Sequence, residues 1–197
     1  MQVKVSAIDK TAEQYEALLE HEDYYAAKVA NLKPESRRKR EILATRCLLK
    51  EMLHSEQIVS YDQYGAPSLT GLGHYVSISH TDGYVAVALA DKPVGIDIER
   101  RGRRVERVRS KFMQKAEDVL VEGTADPVLA MHLIWSAKEA VFKYLGQKYF
   151  DLQNLTCVTS IDFEKKVMAM DVKDMASTLI INFDFTKDYV LCFSILH

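Results

Sequence analysis

The chain has 197 residues, of which 48% are hydrophobic and 27% are charged, and its formal net charge is −2. This profile predicts a soluble globular protein with one domain or two closely packed halves, and the small net charge argues against a general nucleic-acid binder. The sequence shows no signal-peptide core and no apolar run of membrane-spanning length. Cys47, Cys157 and Cys192 lack the spacing of a zinc site. We therefore expect a cytoplasmic protein with reduced cysteines and no membrane partner.

Hydrophobic periodicity and turn signals predict the elements of the first half of the chain. A capping box of Thr11 and Gln14 predicts one or two helices over roughly 12–31. Pro34 can occupy the first turn of a second helix, which is expected to end near His54. Strands are expected at 2–8, 58–61, 75–80 and 84–90, with turns at Tyr64–Pro67 and Thr81–Gly83, and a further strand at 94–99 begins the second half.

The second half repeats this pattern in coarse form. Helices are expected near 105–121 and 127–146, and strands near 154–163, 166–172, 177–185 and 188–195. No low-complexity linker separates the two halves. We predict an α+β protein of two similar halves, 1–93 and 94–197, each with helices packed on a small, mostly antiparallel sheet.

Asp97 and Glu99 lie on a predicted strand in which Val94, Ile96 and Ile98 alternate with them. Residues two apart on a strand project to the same side, with Cα atoms separated by roughly 6–7 Å. Two carboxylates so close repel each other unless a cation lies between them, and Mg²⁺ binds a few carboxylates together with phosphate oxygens and water. Taken alone, the pair is a weak signal, and a solvated strand face is its more common explanation.

Glu139 and Lys143 lie on a predicted helix that also contains Trp135, the only tryptophan of the chain. Their i, i+4 spacing places them on one helix face, while Ala137 and Val141 can pack inward. This arrangement also fits an ordinary surface ion pair.

Together the two segments resemble the paired signature of the 4′-phosphopantetheinyl transferases, in particular the pseudodimeric type that activates surfactin synthetase. The matching segments are Gly95-Ile96-Asp97-Ile98-Glu99 and, about 40 residues later, Trp135-Ser136-Ala137-Lys138-Glu139-Ala140 with Lys143. Further matches are Arg46-Cys47-Leu48-Leu49, Tyr64-Gly65-Ala66-Pro67, Ser77-Ile78-Ser79-His80, and Phe112-Met113 with Glu117.

This resemblance implies transfer of the phosphopantetheine group of coenzyme A to a serine of an apo-acyl or peptidyl carrier protein. Asp97, Glu99 and Glu139 would bind Mg²⁺, and Lys143 would contact a phosphate oxygen as a point charge. Either Glu139 or Glu117 would accept the proton of the serine. Because the two linked halves would form the site internally, the resemblance also implies a monomer.

The resemblance further implies a set of residues that bind coenzyme A, namely Lys33, Arg37, Arg46, Tyr64, Gly65, Ser79 and His80. Ser79 and His80 are assigned to the 3′-phosphate and nearby oxygens. Arg46 falls on the inward stripe of its helix, where an unpaired charge is costly. We expect its guanidinium to meet either an anion of the ligand or a buried carboxylate.

The run from Arg100 to Lys111 contains seven Arg or Lys residues and one acid, Glu106. A charge run of this kind usually forms a solvated face. Because carrier proteins of this family's substrate class are acidic around the modified serine, we interpret the run, including Arg103, Arg104 and Arg107, as a surface for carrier recognition.

Two other functions are compatible with these residues. The first is a different Mg²⁺-dependent phosphoryl transferase that uses the same three acids, although the glycine-rich loop of Walker type is absent. The second is a non-catalytic protein of the same fold that binds carrier proteins. Loss of function in Glu139→Gln would separate an enzyme from such a binder.

Overall fold

The computed structural model describes residues 1–102, 105–145 and 151–195. The chain divides into two compact units, Met1–Val94 and Gly95–His197, called here the N-terminal and C-terminal units. Both combine helices with antiparallel strand pairs, so the predicted α+β class is confirmed. Arg103 and Arg104 of the basic run lie outside the described residues.

The N-terminal unit contains one long helix and several short elements. Its helices are α1 (Ala12–Glu16), α2 (Ala26–Val29) and α3 (Arg37–Leu53), with a 3₁₀ turn at Glu22–Tyr24. Its strands are β1 (Gln2–Ala7), β2 (Val59–Tyr61), β3 (Pro67–Leu69), β4 (Tyr75–Thr81) and β5 (Tyr84–Ala90). The sheet order is β1–β5–β4, and β2 pairs with β3, all antiparallel. The core lies where Leu43 and Leu49 of α3 pack with Val85 and Val87 of β5.

Two helix boundaries differ from the sequence prediction. The capping box of Thr11 and Gln14 is present, but the helical structure that it starts is interrupted after Glu16. Here the Glu56 carboxylate accepts hydrogen bonds from the backbone N–H groups of Glu20 and His21, a tertiary contact that replaces helical bonds. The predicted start of α3 at Pro34 is wrong, because Ser36 caps the helix and Arg37 is its first residue.

The C-terminal unit contains a five-stranded sheet on which one long helix packs. Its helices are α4 (Lys115–Glu122), α5 (Pro127–Leu145) and α6 (Leu152–Leu155), with a 3₁₀ segment at Val105–Lys111. Its strands are β6 (Val94–Arg100), β7 (Thr156–Asp162), β8 (Val167–Val172), β9 (Leu179–Phe185) and β10 (Tyr189–Ile195). The sheet order is β6–β10–β9–β8–β7. The single helix predicted over 105–121 is therefore two separate segments.

Apolar residues of α5 anchor that helix on the sheet. Leu133, Ala137 and Val141 are fully buried and belong to one core cluster with Met168 and Ile181. This packing fixes the rotation of α5 about its axis, which determines where its polar residues lie. Within the described residues, no helix is both long enough and apolar enough to cross a membrane.

Candidate functional site

Polar residues of α5 contact the carboxylate strand β6 in antiparallel order. Trp135, in the middle of α5, reaches Glu99, whereas Lys143, two turns later, reaches Asp97 and Ile96. Between these contacts the Ser136 hydroxyl donates to the carbonyl oxygen of Asp97 at 3.2 Å. Both carboxylates of the strand therefore project toward α5, as the alternation of the sequence indicates.

Trp135 orients one of these carboxylates. Its indole Nε1 donates a hydrogen bond to Glu99 Oε1 at 2.9 Å. Its ring also meets the buried Phe112 edge to face, with centroids 5.2 Å apart. Because its ring packs against Phe112, Trp135 presents its N–H group to Glu99 from a supported position.

Lys143 neutralises the second carboxylate. Its Nζ lies 2.8 Å from Asp97 Oδ1 and donates to the carbonyl oxygen of Ile96 at 3.1 Å. Asp97 is 4% exposed and the Lys143 side chain is 28% exposed, so this ion pair is partly shielded from solvent. Such a pair is stronger than an exposed one, because the surrounding medium screens it less.

Glu139 lies one turn before Lys143 and is partly buried. Burial, followed by the negative charge of Asp97, raises the pKa of Glu139 to about 7, with a smaller contribution from Glu99 and an opposing effect of Lys143. The three acids therefore interact electrostatically in the absence of a cation. A carboxyl group with a pKa near 7 can hold or release a proton at neutral pH.

The fit to a divalent cation depends on donor type and charge. Three repelling carboxylates are the donors that Mg²⁺ prefers. Among the described residues, however, no three His, Cys, Asp or Glu side chains are gathered closely enough to hold a metal ion. Instead, Lys143 and Trp135 engage Asp97 and Glu99. The magnesium site remains a prediction, which the donor chemistry supports.

Glu117 occupies a different environment from Glu139. Its carboxylate is fully buried and accepts hydrogen bonds from Lys138 Nζ at 2.8 Å and from the backbone N–H groups of Gln114 and Val158. Lys138 also donates to two carbonyl oxygens and is itself fully buried. This pair joins α4, α5 and β7, and it leaves no solvent-facing oxygen on Glu117 for a reacting hydroxyl group.

In the N-terminal unit, His80 belongs to a charged cluster centred on Glu41. The Glu41 carboxylate is 4% exposed and lies 2.7 Å from Arg37 Nε, 3.4 Å from Arg38 NH1 and 3.3 Å from His80 Nδ1. Arg37 and His80 were both predicted to bind coenzyme A, and the structure joins them through this acid.

Arg46 lies on the inward face of α3 and is 5% exposed. None of its three guanidinium nitrogens has a hydrogen-bond partner among the described residues. Its guanidinium carbon lies 6.0 Å from the centre of the Tyr61 ring, a distance at which the cation and the aromatic ring attract each other. The sequence analysis left two partners open for Arg46, a ligand anion and a buried carboxylate. The described part of the chain provides no carboxylate that hydrogen-bonds to its guanidinium.

The other predicted coenzyme A residues have varied surroundings. Ser79 is 5% exposed, whereas Tyr64 is 56% exposed and Lys33 also lies at the surface. Gly65 has φ +88°, and Asp62 Oδ1 accepts the N–H groups of Tyr64 and Ala66. This turn requires glycine, because a side chain at positive φ is strained.

The basic run is divided between internal ion pairs and the surface. Arg101 binds Asp126, and Arg109 binds Asp118 at 2.8 Å. Arg107 and Lys111 are exposed and lie on the 3₁₀ segment beside Val108, which is 39% exposed. Among the described residues, Arg107 and Lys111 are thus better placed than Arg101 and Arg109 to meet another protein.

Sequence reasoning did not identify Glu41, Lys138 or the role of Trp135. The i, i+4 spacing of Arg37 and Glu41 is a readable signal for that ion pair. The contact of Glu41 with His80 joins residues 39 positions apart, and no local pattern indicates it. Lys138 is charged and fully buried, which is rare enough to be missed.

Comparison with known proteins agrees with the resemblance seen in the sequence. The profile of the 4′-phosphopantetheinyl transferase superfamily matches residues 93–194, about half of the chain. The 4′-phosphopantetheinyl transferase gsp of Aneurinibacillus migulanus is 31% identical over 88 residues, which are 44% of this chain and 37% of that protein. The 4′-phosphopantetheinyl transferase Sfp of Bacillus subtilis (strain 168) is 30% identical over 92 residues, 45% of this chain and 41% of the relative. Matched regions therefore span well under half the length of these curated relatives, and the family profile shows that the chain belongs to the 4′-phosphopantetheinyl transferase superfamily.

Proposed function

We propose that the protein transfers the 4′-phosphopantetheine group of coenzyme A to a serine of an apo-acyl or peptidyl carrier protein. The serine oxygen attacks the phosphorus next to the pantetheine, a new P–O bond forms, and the bond to the other phosphate breaks. Adenosine 3′,5′-bisphosphate leaves, and the serine proton passes to a base. The observation that carries this proposal is the apposition of Asp97 and Glu99 with Glu139 and Lys143 inside the region that matches the family.

The proposed roles follow from the surroundings of each group. Lys143 supplies a cation that can pass from Asp97 to a phosphate oxygen as charge develops there. Glu139 is the better proton acceptor of the two candidates, because it is only partly buried, whereas Glu117 is fully buried and enclosed by three donors. Asp97, Glu99 and Glu139 would hold Mg²⁺, which would neutralise charge on the pyrophosphate when bound.

Residues of the N-terminal unit would bind the nucleotide part of coenzyme A. The strongest support comes from Arg46, since a buried guanidinium without a hydrogen-bond partner among the described residues is costly unless a ligand anion meets it. His80 and Arg37 supply further positive or polar groups at the surface. A cytoplasmic location and action as a monomer belong to the same proposal.

Direct detection of the modified serine tests the function. The protein is incubated with coenzyme A, MgCl₂ and several apo-carrier proteins, and intact mass spectrometry followed by peptide mapping locates any added phosphopantetheine. A carrier with serine replaced by alanine is the matched control, and a known transferase is the positive control. Addition at the serine supports the proposal. No addition to any carrier that the positive control modifies would overturn it.

A further inference from the structure

Glu41 is the centre of the charged cluster in the N-terminal unit, yet it carries no ligand role in the proposed reaction. It is 4% exposed, whereas the side chains of Arg37 and Arg38 are each 55% exposed and that of His80 is 37% exposed. Arg37 also approaches Asp82, with 3.9 Å between NH1 and Oδ1. One enclosed acid thus touches three groups that reach the solvent.

The contacts of His80 define which ring nitrogen carries the proton. Arg38 NH1 lies 2.5 Å from His80 Nε2, and a guanidinium can only donate, so Nε2 must accept. Nδ1 faces the Glu41 carboxylate, which can only accept when ionised, so Nδ1 carries the hydrogen. Glu41 and Arg38 together therefore fix both the tautomer and the plane of the imidazole.

The exposed arginines of the cluster can meet an anion. The side chains of Arg37 and Arg38 are each 55% exposed, whereas Glu41 is buried and the exposed Asp82 lies 3.9 Å from Arg37. Glu41 itself cannot contact an incoming anion, because it is buried behind these groups. Long arginine side chains lose rotamer entropy when they are fixed. An acid that restrains them beforehand reduces what an anionic ligand must overcome.

We propose that Glu41 is a positioning residue that holds Arg37, Arg38 and His80 ready for the 3′-phosphate of coenzyme A. This inference rests on the proposed function for the identity of the ligand. A residue that acts only on the 3′-phosphate should have no effect on the binding of ligands that lack this phosphate.

Ligand pairs that differ only in the 3′-phosphate provide the test. In Glu41→Gln, we expect KM for coenzyme A to rise about tenfold, with kcat nearly unchanged, as for the loss of one charge-assisted hydrogen bond. The KM of this variant for 3′-dephospho-coenzyme A should equal the KM of the wild-type protein for the same substrate. Glu41→Asp keeps the charge and should recover part of the effect. Equal effects of Glu41→Gln on both substrates would mean a structural role and would overturn the inference.

The control is another acid that pairs with α3. Glu16 binds Lys39 at 2.8 Å, so Glu16→Gln removes an ion pair from the same helix without changing the cluster. Its KM for coenzyme A should be unchanged. If Glu41→Gln does not fold, Glu41→Asp is used in its place. We then expect a smaller increase in KM for coenzyme A and an unchanged KM for 3′-dephospho-coenzyme A.

A binding measurement without turnover tests the role of Glu41 independently of the transferase activity. Calorimetry compares adenosine 3′,5′-bisphosphate with adenosine 5′-monophosphate, and neither measurement needs turnover. Tighter binding of the bisphosphate, reduced by Glu41→Gln, supports the inference even if no carrier is modified. Equal binding of both nucleotides by the unchanged protein overturns the inference, although transfer to a carrier would still support the function.

Discussion

Lys143 Nζ lies 2.8 Å from Asp97 Oδ1, so the last turn of α5 places a cation directly on the carboxylate strand. This ammonium offsets part of the charge of the acids and lowers the pKa of Glu139, against the larger opposing effect of burial. The same cation is the one proposed to meet a phosphate oxygen. Lys143 would therefore exchange one anion for another during the reaction.

Lys143→Met removes this cation and keeps much of the side-chain volume. We expect kcat for transfer to fall by about 100-fold, because charge that develops on phosphate is no longer neutralised. In the metal-free protein the pKa of Glu139 should rise above its value of about 7, since Lys143 lowers it. Steady-state kinetics and an NMR titration of the Glu139 carboxyl measure the two effects. Lys173→Met, at an exposed position, is the control, and an unchanged kcat for Lys143→Met would exclude the proposed role.

Glu139→Gln separates an enzyme from a carrier-binding protein. The amide cannot accept the serine proton, so we expect transfer to fall by about 1,000-fold or more. Binding of an apo-carrier, measured by fluorescence anisotropy, should remain close to that of the unchanged protein. Glu122→Gln alters an exposed acid of the same unit and should have no effect on transfer. Full activity of Glu139→Gln would contradict both the assignment of the base and the metal site.

The raised pKa of Glu139 makes the stability of the metal-free protein depend on pH. The folded-state pKa of about 7 exceeds the ordinary value of 4.5, so the folded protein binds more protons between these values. Stability from this group is complete below pH 4.5 and is lost as pH rises through 7, by on the order of 3 kcal/mol. Urea unfolding in the presence of a chelator should show this loss, and Glu139→Gln should remove that component.

Magnesium should reverse the same loss. Because the cation would bind the ionised acids, MgCl₂ should raise the Tm of the unchanged protein more at pH 8 than at pH 5.5. The increase should be much smaller in Glu139→Gln. A magnesium effect of equal size in both proteins would show that the ion binds elsewhere.

Local sequence patterns accounted for the elements that carry the carboxylates. Alternation over Val94–Glu99 predicted the strand and the common direction of its acids, and the contacts with Trp135 and Lys143 agree with it. The hairpin around Thr81–Gly83 was also confirmed, because Gly83 adopts the positive φ that such a turn favours. In both cases the information lies in consecutive residues.

Contacts between distant residues could not be derived in this way. The buried Glu117–Lys138 pair joins positions 21 apart, and a sequence pattern assigns such charged residues to the surface. Burial is possible here because each group has several hydrogen-bond partners from other elements. The break in the helix after Glu16 likewise depends on Glu56, which is 36 positions from Glu20.

Arg46→Met tests whether a buried cation is retained for a ligand. Its guanidinium has no hydrogen-bond partner among the described residues, so an apolar side chain should stabilise the ligand-free protein by about 1 kcal/mol. The Kd for coenzyme A should nevertheless increase about tenfold or more. Thermal unfolding and calorimetry measure these opposite changes.

Lys50→Met provides the contrasting control on the same helix. Lys50 Nζ binds Glu20 and the buried Glu56, so its removal should lower the Tm and leave the Kd for coenzyme A unchanged. If Arg46→Met instead lowers the Tm and leaves binding intact, Arg46 serves the fold and not a ligand.

Arg107 tests whether the exposed end of the basic run receives the carrier protein. It lies at the surface of the 3₁₀ segment, whereas Arg109 on the same segment is paired with Asp118. Arg107→Glu should raise KM for an acidic carrier by about fivefold at low salt and leave KM for coenzyme A unchanged, because a surface charge steers encounter more than it adds affinity. The increase should shrink at high ionic strength. Lys165→Glu is the control, because it makes the same charge change on a different turn, at a side chain that is 78% exposed. This variant should not alter the KM for the carrier. If both variants raise the KM for the carrier equally, the cause is general repulsion by net charge, whereas an increase in Arg107→Glu alone locates carrier contact on the 3₁₀ segment.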